Sequence, residues 1–146
     1  MVEWRAPRMR QPRLKAPEVF PVGFYHCISR VVDRRFVLHA AEKEQFVKHM
    51  REAEEFCEVQ VRTYCILSNH FRILVAVPQV PELAQRPNAE AILAKLARLS
   101  GHQFVETVRQ QFETLRQNKD EAGEAALLGS YHARMWDVNA FMKLLK

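Results

Sequence analysis

The sequence lacks the motifs that define several common functional classes. It contains no glycine-rich phosphate loop of the GxGxxG or GxxxxGK type and no GxSxG nucleophile elbow. No apolar run approaches the length that spans a membrane, and the basic N-terminus lacks the apolar core of a secretory signal. No internal repeat or low-complexity segment is found. With 146 residues, 48% of them hydrophobic, the chain is long enough for one domain with a real core.

Cysteine is scarce and its spacing excludes two further classes. The three cysteines, Cys27, Cys57 and Cys65, form no CxxC pair. Neither a zinc knuckle nor a disulfide framework is therefore expected. We expect reduced and mostly buried thiols in a cytoplasmic protein.

Positive charge is concentrated near the N-terminus. Residues 1–35 carry a net charge of +5, and residues 36–146 carry a net charge of zero. Prolines punctuate the same region, so residues 1–20 are interpreted as an extended basic arm. Such an arm is either a solvated tail or a segment that contacts phosphates and releases them as salt rises. The basic residues are Arg5, Arg8, Arg10, Arg13, Lys15, Arg30, Arg34 and Arg35.

Hydrophobic periodicity predicts the order of the secondary structure elements. We expect strands over 22–31, 59–67 and 70–77, a helix over 41–57, helical chain over 88–118 with a break at Gly101, and a last helix beginning near Asp137. A short strand at 36–38 and a linker at 117–126 complete the pattern. In the second strand we expect one face to hold Val59, Val61, Thr63, Cys65 and Leu67. The expected helical stripes are Phe46, Met50, Ala53 and Cys57; Ile92, Leu96 and Leu99; and Phe104, Val108, Phe112 and Leu115.

The order strand, helix, strand, strand and then helices predicts the fold class. It is typical of an α+β protein with a ferredoxin-like split βαβ unit, in which an antiparallel sheet has helices on one face. Further helices follow at the C-terminus. The other face of the sheet would be free to meet a ligand.

The candidate binding residues lie on two of the strands and beside them. Because side chains alternate along a strand, His70 and Arg72 share one face, and Phe71, Ile73 and Val75 share the other. A guanidinium has no free lone pair and cannot ligate a metal, but it can hold a phosphate bidentately. The alternative for His70 and Arg72 is an ordinary polar, solvent-facing role.

Aromatic and basic side chains on the first strand suggest contacts with nucleic acid. Tyr25, His26 and Arg30 could stack on bases and bind phosphates, although at least one of Tyr25 and His26 is expected in the core. Arg34 and Arg35 in the following turn are either solvated or part of the same contact. For Tyr131 and His132, packing beside a helix is preferred to a nucleophile and base pair, and Trp136 is expected to anchor the last helix.

Two segments resemble a known family. The segments Tyr-His-Cys-Ile-Ser-Arg at 25–30 and Tyr-Cys-Ile-Leu-Ser-Asn-His-Phe-Arg-Ile-Leu-Val at 64–75 resemble the IS200-like transposases, in particular their REP-associated tyrosine transposase branch. The similarity covers residues 20–78 and continues more weakly over 133–143. It implies a ferredoxin-like domain at residues 21–146 that cleaves and joins single-stranded DNA hairpins, generally as a homodimer.

The resemblance also implies a site, and this sequence departs from it twice. Family members bind Mg²⁺ or Mn²⁺ with a His-hydrophobic-His motif, and a tyrosine on a later helix attacks the phosphate. His70 matches the first metal-binding histidine, but Arg72 occupies the second position. The nucleophilic tyrosine is expected beyond Lys146, so no residue here matches it. The residues expected to contact DNA are Tyr25, His26, Arg30, Arg34, Arg35, Asn69 and Arg72.

Three hypotheses remain open from the sequence. The first is a DNA-binding protein of the transposase family with impaired or truncated chemistry. The second is a ferredoxin-like module that holds single-stranded nucleic acid and performs no reaction. The third is a decayed reading frame whose product is barely stable, with core positions of the last helix left uncovered.

Overall fold

A computed structural model describes residues 13–30 and 38–146. The first half of the chain follows the predicted order, with β1 at Val22–Arg30, α1 at Ala40–Cys57, β2 at Gln60–Ile66 and β3 at His70–Pro78. The expected short strand at 36–38 falls mostly outside the described residues, and Leu38 itself is not in a strand. Arg34 and Arg35 also lie outside the described residues.

The three strands form an antiparallel sheet in the order β1-β3-β2. Strands β1 and β2 both run antiparallel to β3 and flank it, which is the arrangement that a split βαβ unit requires. On β3 the side chains of Phe71, Ile73 and Val75 are buried, whereas Arg72 is exposed. The α+β class and the alternation along β3 are therefore confirmed.

The helices cover one face of this sheet. Helix α1 buries Met50, Ala53, Phe56 and Cys57, and the ring of Phe46 packs at 4.7 Å from that of Phe71. Helices α2 at Ala89–Leu99, α3 at His102–Gln117 and α4 at Glu121–His132 pack in succession from α1, and α5 at Val138–Leu144 also contacts α1. No helix in the described part of the chain is long and apolar enough to cross a membrane.

The strand β2 corrects one prediction about which side chains face inward. Val61 pairs with Val75, but Thr63 already pairs with Leu74, so Arg62 is an extra residue in the ladder. A bulge of this kind reverses the alternation that follows it. Thr63 and Cys65, predicted to share a face with Val61, therefore lie on the opposite side and are exposed.

The second half of the chain contains two further corrections. The predicted linker at 117–126 is instead the end of α3, a short turn and the start of α4, because the side chain of Asp120 accepts a hydrogen bond from the Gly123 amide at 2.8 Å and caps the new helix. On α3 the buried stripe uses Val105 rather than Phe104, whose ring is 48% exposed. The break at Gly101 and the start of the last helix at Asp137 are confirmed.

Helix α5 is well packed. Phe141, Met142 and Leu145 are all buried in the common core. The structure therefore does not show the uncovered core positions that the hypothesis of a decayed reading frame expects. Trp136 precedes α5, and its amide donates a hydrogen bond to the Cys57 carbonyl at 2.7 Å, which ties this end of the chain to α1.

Candidate nucleic-acid interface

The face of the sheet opposite the helices presents a continuous set of side chains, called here the open face. Residues directly paired across antiparallel strands point to the same side. The pairing therefore puts Ile28, Arg72 and Cys65 in one row and His26, Leu74 and Thr63 in the next. Arg30 pairs with His70 at one end of the face, and Phe24 lies towards the other end. Phe24 and Ile28 are 61% and 47% exposed, so the open face combines aromatic, apolar and cationic groups.

The hairpin between β2 and β3 fixes the orientation of His70. The Leu67 amide donates to the His70 carbonyl at 2.8 Å and closes the turn. The Nδ1 atom of His70 lies 2.7 Å from the Oδ1 atom of Asn69. Because an amide oxygen only accepts, Nδ1 is the donor in this contact. Arg30 is the partner of His70 across the strand pair, and Arg72 lies two residues along β3 on the same side.

The charges of the sheet are all of one sign. None of the residues in the three strands is acidic, and their charged side chains are Arg30, Arg62 and Arg72. None of these arginines has a carboxylate partner among the described residues. On the helical side the arginines are instead paired with glutamates: Arg51 with Glu54, Arg98 with Glu55, Arg109 with Glu90 and Glu106, and Arg116 with Glu90 and Glu124.

The open face does not fit a divalent metal ion. The orientation of His70 by Asn69 is a feature of metal-ligating histidines. However, no group of three or more metal-ligating side chains occurs among residues 13–30 and 38–146. The position two residues along the strand holds Arg72, and the paired residue across the strand is Arg30. One imidazole flanked by two permanent cations supplies too few donors and the wrong charge.

None of the three tyrosines of the chain lies on the open face. Tyr25 and Tyr64 pair with Val75 and Ile73, whose side chains point into the core side of the sheet. Tyr131 is buried in the last turn of α4, and burial raises the pKa of its hydroxyl despite the nearby Arg134. A raised pKa leaves less of the nucleophilic phenolate. No tyrosine is therefore placed to attack a phosphate held by Arg72.

The neighbouring His132 serves packing, as expected. Its Nε2 atom lies 2.8 Å from the Pro87 carbonyl oxygen, and its ring is buried. This contact joins α4 to the segment before α2. The preferred interpretation of Tyr131 and His132 as packing residues therefore agrees with their positions.

Tyr25 is separated from the other candidate residues. Its hydroxyl oxygen accepts a hydrogen bond from the Ala16 amide at 2.8 Å, on the side of the sheet that faces the helices. Arg13 likewise donates to the Oδ1 atom of Asn139 at 3.2 Å, at the start of α5. The described end of the basic arm is thus bound to the folded body, away from the open face.

Of the predicted DNA-contacting residues, the structure brings together His26, Arg30, Asn69 and Arg72, and the predicted metal residue His70 lies with them. Phe24 and Ile28 lie on the same surface but are not among the residues predicted to contact DNA. Phe24 and Ile28 share the strand parity of His26 and Arg30, so alternation alone could have added them.

Comparison with known proteins gives no assignment. No protein-family model matches the chain, and neither a curated protein nor a solved structure matches it.

Proposed function

We propose that this protein binds single-stranded or hairpin DNA on the open face, as a catalytically impaired member of the IS200-like transposase family. One observation carries the DNA-binding part: the sheet has only positive charges, and these lack carboxylate partners among the described residues, whereas the arginines of the helices are paired. Unpaired arginines favour phosphate, and the exposed Phe24 offers a surface on which a base can stack. The family itself is supported by the two sequence segments alone.

The impairment follows from the placement of the reactive groups. Arg72 can hold a phosphodiester through two parallel hydrogen bonds. It cannot replace a metal ion, because a metal ion withdraws charge from the phosphate and also keeps an open coordination position. With no tyrosine on the same face, the strand would be held without a covalent intermediate. Mg²⁺ or Mn²⁺, which family members use, is therefore not required for binding in this proposal.

Fluorescence anisotropy with a labelled hairpin oligonucleotide in EDTA tests the binding. Arg72→Ala should weaken affinity about tenfold to a hundredfold, since a hydrogen bond to a charged group contributes about 1.5–3 kcal/mol. Arg98→Ala is the matched control, because Arg98 is exposed but bonded to Glu55 at 2.7 Å. Equal affinity of the two variants would contradict the proposed interface.

The second candidate function is that of a binding module with no relation to transposases. It is favoured because none of the three tyrosines lies on the open face. Incubation with the hairpin and Mn²⁺, followed by a denaturing gel, examines the chemistry. We expect no covalent adduct. An adduct would overturn the claim of impairment, and mass spectrometry of the labelled peptide would identify the tyrosine responsible.

We also propose a cytoplasmic location and a homodimeric state for this protein. Cys27, Cys57 and Cys65 are all free, which agrees with a reducing, cytoplasmic environment. The resemblance implies a homodimer, and sedimentation of the purified chain with and without DNA would measure it.

A further inference from the structure

A cleft lies on the side of the sheet opposite the open face, where the described end of the arm meets the start of β1. Its volume is about 510 Å³, and its walls include Lys15, Glu18, Phe20, Tyr25, Gln79 and Trp136. A second cavity of about 300 Å³ shares Lys15 and Trp136 with it. Binding sites for small aromatic ligands generally have about 300–1,000 Å³. The cleft is therefore large enough for a single nucleotide.

The arm forms one wall of this cleft and is held there by specific contacts. The Ala16 amide bonds to the Tyr25 hydroxyl, and the Gln79 side chain donates to the carbonyls of Glu18 and Phe20. At Gly23 a β-carbon would come within 2.8 Å of the Ala16 side chain. Glycine is thus required for the arm to lie this close to the sheet. These contacts give the cleft a defined shape.

Trp136 has an unusual backbone conformation for a bulky residue. Its φ angle is 52°. The other two positive φ angles outside glycine in the described chain are at Glu58 and Lys119, within two residues of the C-terminal ends of α1 and α3, where this conformation is common. Trp136 instead follows the turn between α4 and α5, and the bond from its amide to the Cys57 carbonyl holds it there. Strained bulky residues cluster at ligand-binding sites, and this one lines both cavities.

The polar groups of the cleft differ in what they can bind. Lys15 is exposed and has no carboxylate partner among the described residues, so its ammonium is available to a phosphate. The carboxylate of Glu18 can only accept hydrogen bonds. It therefore favours an amino group on the ligand. An indole ring, an ammonium group and a carboxylate acceptor match the stacking face, the phosphate and the exocyclic amino group of a nucleotide.

We propose that the cleft is a second binding site, which takes one nucleotide whose base carries an amino group. The base stacks on Trp136, its amino group donates to Glu18 and its phosphate lies against Lys15. The ligand is either a free nucleotide or one nucleotide of a bound strand. In the second case the inference rests on the proposed function, because the strand would pass from Phe24 on the open face around the outer edge of β1.

Trp136 itself reports on the stacking. The chain has two tryptophans, and Trp4→Phe leaves Trp136 as the single fluorophore. Titration of this variant with dAMP and dCMP should give saturable quenching, and TMP should bind more weakly. Lys15→Ala should weaken binding about threefold to tenfold through loss of the phosphate contact. Lys143→Ala, an exposed lysine on α5 outside the cleft, should leave the quenching unchanged. Glu18→Gln should reduce the preference for dAMP and dCMP over TMP.

The same titrations distinguish a free nucleotide from a nucleotide within a strand. They also distinguish failure of the cleft proposal from failure of the proposed function. Quenching by mononucleotides indicates a free nucleotide, whereas quenching by an oligonucleotide alone indicates a nucleotide within a strand. If Arg72→Ala abolishes the anisotropy change of the hairpin but dAMP still quenches Trp136, the cleft acts separately from the open face. If the hairpin binds and neither it nor any mononucleotide quenches Trp136, the inference about the cleft is wrong and the proposed function stands.

Discussion

Arg62 decides which side chains of β2 face solvent. Without this extra residue, the spacing of the sequence would put Thr63 and Cys65 on the same side as Val61. With it, Tyr64 and Ile66 pair with core residues of β3, and Cys65 lies beside Arg72 on the open face. One inserted residue therefore changes both the core and the candidate interface.

The bulge predicts that the three thiols differ in reactivity. Cys27 and Cys57 are buried, whereas Cys65 is exposed. Ellman's reagent should therefore titrate one thiol per native chain and three after unfolding in guanidinium. Bound oligonucleotide should slow the reaction, because Cys65 pairs directly with Arg72. Absence of a reactive thiol in the native protein would contradict the bulge, and Cys65→Ser provides the blank.

Because the Cys57 thiol is buried, the free energy of unfolding should fall as the pH becomes alkaline. Burial raises its pKa from 9.0 to about 12. The folded state thus holds a proton that the unfolded chain loses first, so the stabilisation is complete below pH 9 and is lost as pH rises towards 12. Between pH 8 and pH 10 the free energy of unfolding should fall by about 1.4 kcal/mol from this group. Denaturant unfolding of Cys57→Ala at both pH values should show a correspondingly smaller decrease.

At the level of single residues, the sequence predicts regular geometry and fails where the geometry is irregular. The opposed directions of Arg72 and Phe71 follow from strand alternation and are confirmed. The exposure of Thr63 and Cys65 could not be predicted, because a bulge depends on how two strands fit together. The sequence predicts that at least one of Tyr25 and His26 faces the core, and the two do lie on opposite sides of β1. The hydrogen bond from the Ala16 amide to the Tyr25 hydroxyl could not be predicted, because it depends on the path of the arm.

Helix ends, set by short polar side chains, organise the C-terminal half. Asp120 caps α4 and Asp137 caps α5, each through a carboxylate that accepts an amide proton of the first turn. The second cap was predicted from an aspartate before an apolar stripe. The first was missed because α4 is rich in alanine and glycine and has no clear apolar stripe, so its residues resemble a linker.

Helix α5 gives the test of this capping. The Oδ1 atom of Asp137 accepts from the Asn139 amide at 2.9 Å. Asp137→Ala should lower the free energy of unfolding by about 1 kcal/mol, because it leaves that donor without its partner. Asp137→Asn keeps the acceptor and should cost less. Thermal unfolding of both variants measures the effect, and equal losses would show that the charge, and not the hydrogen bond, matters.

At the scale of the whole molecule, the described residues 13–30 and 38–146 separate their charges between two surfaces. Glutamates neutralise the arginines on the helices, whereas the sheet carries arginines and no acidic residue. Composition alone indicates an excess of positive charge near the N-terminus. It does not indicate that Arg30 and Arg72 lie on one face of the sheet, because that requires the register of the strands.

The separation predicts how binding depends on salt. For single strands the logarithm of the affinity falls with the logarithm of the salt concentration with a slope of about −0.7 for each phosphate neutralised. Arg30→Ala should therefore make the slope about 0.7 less steep, and Arg98→Ala should leave it unchanged. Anisotropy titrations at several salt concentrations measure both slopes. Identical slopes for wild type and Arg30→Ala would show that Arg30 does not contact a phosphate.

The one-sided charge of the sheet also has a consequence for the approach to DNA. A surface of one sign orients a molecule as it diffuses towards a polyanion, so that the first collisions already involve the binding face. Because the helical surface is neutralised by its own ion pairs, it competes little for such encounters. Added salt should therefore act mainly on how often the protein meets the strand, and the lifetime of the complex should depend on the contacts that Arg72 and Phe24 make after arrival.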